Sequence, residues 1–70
     1  MNLRSDVIWA LRGQGGGLTV MEISAKIVAS RKNRYSDSKI MHVLDVLVQG
    51  GQAEKSETTG RVLYSWKASS

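Results

Sequence analysis

The hydrophobic pattern of this chain changes period at Gly50-Gly51. Before the glycine pair, apolar residues recur every three or four positions, which lays them along one face of a helix. After it they alternate, as in a strand with one covered face. A chain of 70 residues has room for one domain. Helices and strands must therefore share a single small core, and the expected class is α+β with the helices first and a hairpin last. So short a chain buries little apolar surface, and a dimer interface or another partner would add to its stability.

Three helices are expected before the glycine pair. The first runs from Asn2 or Ser5 to Arg12, with Leu3, Val7, Ala10 and Leu11 on one stripe and Ile8 beside it. Asp6 near its start and Arg12 near its end complement the helix dipole. Trp9 falls off the stripe, which suits a rim residue over the core or an oligomer contact. Gly13 to Gly17 then form a turn; no Lys-Ser/Thr follows them, so they are no phosphate cradle. Leu18 suits a short strand or bridge. Thr19-Val20-Met21-Glu22 has the spacing of a capping box, in which the threonine oxygen and the glutamate carboxylate satisfy each other's backbone amides. A second helix starts there, buries Val20, Ile23, Ile27 and Val28, exposes Lys26, and fades near Ala29-Ser30.

The third helix, 36–49, is the most informative stretch. Ile40, Val43, Leu44 and Leu47 mark its buried face; Ser38, Lys39, His42, Asp45 and Gln49 mark the opposite one. Ser36 or Asp37 caps its start, and Gly50-Gly51 ends it in left-handed geometry. Met41 and Val46 flank the main face and suit either the edge of the core or a dimer patch. Beyond the glycines, 52–56 reads as one strand, 57–60 as a turn and 61–67 as a second strand. Val62, Tyr64 and Trp66 share the inward side, where the two aromatics bury area. Residues 68–70 read as a frayed tail.

Charge and composition narrow the function. The formal net charge is +4, and Arg31, Lys32, Arg34 and Lys39 against Asp37 concentrate most of it within nine residues. A local basic patch favours a polyanion, of which nucleic acid is the commonest. The absence of cysteine removes disulfides and thiolate metal sites. His42 has only Asp45 nearby along its helix, too few groups for a metal site or a catalytic pair. No nucleophile–base pair or carboxylate dyad is visible, so the expectation is a non-enzyme with no cofactor. No run approaches the ~20 apolar residues of a membrane span, and the start lacks a signal peptide's apolar run. A cytoplasmic protein is expected, nucleoid-associated when bound to DNA.

Helix, glycine turn, short strand, helix, helix and hairpin, in that order, resemble the winged helix-turn-helix family. The resemblance spans nearly the whole chain. It is carried by Leu18 to Ile23 opening the second helix, Ile40 to Leu47 in the third, Gly50-Gly51, and Val62-Leu63-Tyr64-Ser65-Trp66. In size and layout the chain is also similar to the very small regulators of fimbrial operons. A Z-form nucleic-acid-binding domain has the same order, but its Asn-x-x-x-Tyr in the third helix and Pro-Pro in the wing are missing here.

The resemblance implies a three-helix core with a β-wing, double-stranded DNA as the partner, and the third helix in the major groove. Tyr35, Ser36, Ser38, Lys39 and His42 would face base edges or phosphates. Arg31, Lys32 and Arg34 would grip the backbone, and Lys55, Thr58, Thr59 and Arg61 would supply the wing contacts. The implied activity is transcriptional regulation by occupancy, with a homodimer on a two-fold site. The alternative is a winged-helix module that holds a protein partner without touching DNA. Glu54 and Glu57 in the wing, together with Met41 and Val46, favour it.

Overall fold

A computed structural model describes residues 2–13 and 17–67. It contains α1 (Leu3–Arg12), α2 (Val20–Arg31), α3 (Asp37–Gln49), β1 (Ala53–Thr58) and β2 (Arg61–Trp66). Most of the Gly13–Gly17 turn and the 68–70 tail lie outside the described residues.

Each helix begins where a short polar side chain takes up orphaned amides. The Asn2 side chain accepts from the amides of Arg4 and Ser5 at 2.8 and 3.4 Å. Thr19 and Glu22 form the complete capping box: the Glu22 amide donates to Thr19 Oγ1 at 3.2 Å, and the Thr19 amide donates to Glu22 Oε1 at 2.9 Å. That second bond, above all, holds the Glu22 carboxyl below its ordinary pKa; the Thr19 hydroxyl and the charge of Arg61 act the same way, against some desolvation. Ser36, not Asp37, caps α3, accepting from the Lys39 amide at 3.3 Å.

α3 ends in a Schellman motif. The Gln52 amide donates to the Leu47 carbonyl at 2.9 Å and the Gly51 amide to that of Val48 at 3.1 Å. Gly51 alone takes the left-handed turn, with φ +77°, while Gly50 stays right-handed. The motif reverses the chain and sends it into the hairpin.

The core joins all elements. Val7, Ala10 and Leu11 of α1, Ile23 and Ile27 of α2, and Ile40, Leu44 and Leu47 of α3 meet Leu18, Ala53 and Tyr64. Val62 and Trp66 pack against this cluster from the inward side of β2, as the alternation predicts. Leu18 exchanges two backbone hydrogen bonds with Tyr64, both 2.8 Å. This bridge fastens the approach to α2 onto the edge of β2.

Two expectations are corrected. Lys26 does not extend into solvent; its ammonium donates to the Ala10 carbonyl at 3.2 Å and lies over the Trp9 ring. The hairpin turn is also tighter than 57–60. Strands pair from Ala53↔Trp66 through Thr58↔Arg61. Only Thr59-Gly60 remains as the loop, with φ of 52° and 76°. Two consecutive positive φ values define the turn whose twist matches a two-residue hairpin. Thr59, being β-branched, is strained there. Thr59→Asn relieves the strain and should raise unfolding stability by about 1 kcal/mol, read from urea denaturation.

Candidate nucleic-acid interface

The segment between α2 and α3 carries most of the candidate residues, and a single buried carboxylate organises it. Asp6 is 1 % exposed. Tyr35 donates its hydroxyl to Asp6 Oδ2 at 2.7 Å, and Asn33 Nδ2 donates to the same oxygen at 3.2 Å. Arg31 Nε lies 3.7 Å from Oδ1. A desolvated carboxylate needs such partners, and all three come from within five residues of one another. The result pins the chain before α3 onto the first turns of α1.

This bears on three readings. Asp6 is a buried anchor as well as a helix-dipole partner; the spacing carries the signal, since Asp6 lies three residues after Leu3 and four before Ala10, within the buried stripe. Tyr35 points its hydroxyl inward at Asp6, packed against the core, and does not present it to bases. Arg31 divides its guanidinium between Asp6 and the Trp9 ring, 4.8 Å from the centroid, and so is not a free phosphate grip. Trp9 sits at the rim, half-buried, as expected.

The remaining candidates are exposed. Lys32 closes α2 in left-handed geometry with φ 60°, an unusual state for a side chain other than glycine. Arg34 lies with Asp37 beside Met21, Ser24, Ala25, Val28 and Ala29, lining a groove of about 380 Å³ between α2 and the start of α3. Ser36 uses its oxygen as the cap and keeps its O–H free to donate. Ser38, His42, Asp45 and Gln49 form the outer row of α3, with Lys39 alongside. Met41 and Val46 are solvent-facing, at 45 % and 46 % exposure, so they do not complete the core. On the hairpin, Thr58 and Arg61 face each other across the strands next to the Thr59 tip, and Lys55 pairs with Tyr64. Arg61 is close enough to Glu22 to help lower its carboxyl.

The charge of this surface is nearly balanced. α3 and the hairpin together carry three basic side chains, Lys39, Lys55 and Arg61, against four acidic ones, Asp37, Asp45, Glu54 and Glu57. Lys32 and Arg34 in the preceding loop tip the balance to positive. Among the described residues no group of three or more His, Asp or Glu side chains could hold a metal ion. None of the described helices is long and apolar enough to cross a membrane.

No family model and no curated protein matches the chain. Solved structures do. The ferric uptake regulator Fur of Helicobacter pylori, described with three functional metal binding sites, aligns with a TM-score of 0.83 and 26 % identity over 97 % of this chain. The fold is the winged helix. HOP2, whose structure was described for its DNA recognition and protein interaction domains, aligns with a TM-score of 0.77 and 12 % identity, over 94 % of this chain and all of that one. The chain spans only 45 % of the Fur chain, so it matches a part of that protein. In the winged-helix frame, the β1–β2 hairpin is the wing and α3 the helix that follows the turn.

The Asp6 anchor is testable through stability. Asp6→Ala strands two hydrogen-bond donors and the Arg31 guanidinium, and should cost about 3 kcal/mol in urea denaturation. Tyr35→Phe should cost less and leave a signature in pH. The hydrogen bond to Asp6, reinforced by burial, pushes the Tyr35 hydroxyl above its ordinary value of 10.0. A raised acid stabilises fully below that value and loses its contribution as pH rises through the shifted one. The alkaline fall in stability should therefore flatten in Tyr35→Phe.

Proposed function

We propose that this winged helix binds double-stranded DNA and acts as a small transcriptional regulator by occupying its site. The observation that carries the reading is α3: an exposed polar row on a rigid helix, led by a loop that holds Lys32 and Arg34 in place. α3 enters the major groove, where Ser38, Lys39 and His42 meet base edges or phosphates, and Asp45 can accept from cytosine N4. The Ser36 hydroxyl, Lys32 and Arg34 meet the backbone at the start of α3. Lys55, Thr58, Thr59 and Arg61 supply the wing contacts. Support comes also from the two structural neighbours, a regulator and a protein with a DNA-recognition domain. Pairing of two copies on a two-fold site would double the phosphate contacts of so small a surface.

The near-neutral surface sets the expected strength. With Lys32, Arg34, Lys39 and Arg61 as the phosphate-neutralising groups of one copy, log affinity should fall with log salt at a slope of about −3 to −4. Fluorescence anisotropy on random duplex across a salt series reads it directly. Arg34→Ala/Lys39→Ala should weaken binding and reduce the slope by about 2. Lys32→Gly should do two opposite things: raise stability by relieving the left-handed strain, and weaken the duplex complex. Absence of duplex binding at low salt overturns the proposal. It would leave the second reading, a protein-holding module, which the four acids of α3 and the wing and the exposed Met21, Met41 and Val46 favour.

A further inference from the structure

The basic surplus of this chain does not lie on α3 and the wing. It lies in the α2–α3 loop and around α1. α1 and α2 carry Arg4, Arg12, Lys26 and Arg31 against two acids. One of those, Asp6, is buried with its oxygens already partnered. The other, Glu22, is held in the capping box at the start of α2. The solvent face of α1 is therefore cationic with no exposed carboxylate of its own helix.

That face also has an apolar floor. Ser5, Ile8, Trp9, Arg12 and Gly13 line an open cleft of about 480 Å³. Ile8 and Trp9 are half-buried, one on either side of the Ser5–Arg12 row, so their outer surfaces remain available. Arg12 lines the cleft, and two further cations lie against the Trp9 ring at its edge. Lys26 and Arg31 lie 5.5 and 4.8 Å from the Trp9 centroid, and Arg12 lies 5.8 Å from that of Trp66. Ring contacts of this kind hold a cation at a fixed place.

We propose that this face docks an acidic, amphipathic segment of a partner protein. Apolar side chains of the segment enter the cleft between Ile8 and Trp9, and its carboxylates meet Arg12, which lines the cleft, and the remaining donors of Lys26. Charge complementarity selects the occupant. A second copy would bring the same cations face to face, which opposes self-association here. A nucleic-acid backbone would engage the cations but leave Ile8 uncovered and gain nothing from the cleft. An acidic amphipathic segment satisfies both halves of the surface, with apolar anchors fixing it and charges choosing it.

The test is a display selection of random peptides, each about a dozen residues long to span the face of one short helix, against the intact chain. The peptides enriched on the wild type should interleave Asp or Glu with large apolar residues. A fluorescent copy of the most enriched one should bind Ile8→Ser/Arg12→Glu at least about tenfold more weakly. Circular dichroism should show that variant folded, and its affinity for random duplex DNA should be unchanged, which separates this surface from α3. Amide shifts induced by the peptide should fall on α1 and the end of α2. The proposal is overturned if no peptide is enriched, if neutral or basic peptides win, or if the variant binds equally well. It is also overturned if random duplex displaces the peptide from α1, since the face would then belong to nucleic acid.

Discussion

The carboxylate of Asp6 is the constraint on which the arrangement of this small domain depends. Its partners, Arg31, Asn33 and Tyr35, are the residues through which the chain leaves α2 and approaches α3. The five residues 32–36 between the helices are longer than the tight turn of the simplest helix-turn-helix. A loop of that length has many conformations unless something outside it chooses one. Asp6 makes the choice from α1, and the backbone answers with a left-handed Lys32. Strain of this kind persists only where surrounding contacts over-determine it. The loop is thus held by polar bonds at one end and by the Ser36 cap at the other.

The order of elements was legible in the sequence because each boundary has a local chemical cause. The capping box at Thr19–Glu22, the Schellman glycine at Gly51 and the alternation of Val62, Tyr64 and Trp66 each act over a few residues, so a pattern reads them. The hydrophobic faces were legible for the same reason. Contacts between segments distant in the chain were not. The interior position of Asp6 follows from the helical spacing, but its three partners lie 25 to 29 residues away, where no periodicity points. Arg31, Lys32 and Arg34 therefore read as one basic grip, with Tyr35 beside them facing base edges or phosphates. Folding sorts them into two classes, with Arg31 and Tyr35 turned to Asp6, and Lys32 and Arg34 turned to solvent. The hairpin turn failed for a different reason: Thr59 contradicts the residue preference of its turn, so local propensity argued for a looser loop than pairing imposes.

That sorting changes what net charge can say about function. A surplus of four positive charges on a chain this size suggests a polyanion partner, but the suggestion is only as good as the placement. Here α3 and the wing are balanced almost to neutrality, and under the proposed reading affinity for duplex DNA would come from a few well-placed groups and from fit in the groove. Binding of that type is weaker, less sensitive to salt, and more dependent on the bases under α3 than binding by a basic stripe. The acids Asp45, Glu54 and Glu57 then have a discriminating effect, because a carboxylate near a phosphate or the wrong base edge penalises misplacement.

Several of the charges absent from α3 are gathered around Trp9 and Trp66, and this division separates the two proposed surfaces except at one residue. Arg31 links them physically: it completes the anchor that orders the loop before α3, and it also stacks on the ring beside the α1 cleft. A carboxylate that reached Arg31 from that cleft would draw on the same guanidinium that Asp6 holds. Any differential effect on Arg31 reaches the loop carrying Lys32 and Arg34 through a chain of direct contacts. By linkage, an occupant that engages Arg31 would then alter affinity at the other surface by the same factor in both directions. The sign follows from the competition: an acidic segment that pulls Arg31 from Asp6 loosens the loop and opposes binding through α3, whereas one that engages Arg12 and Lys26 alone leaves it untouched.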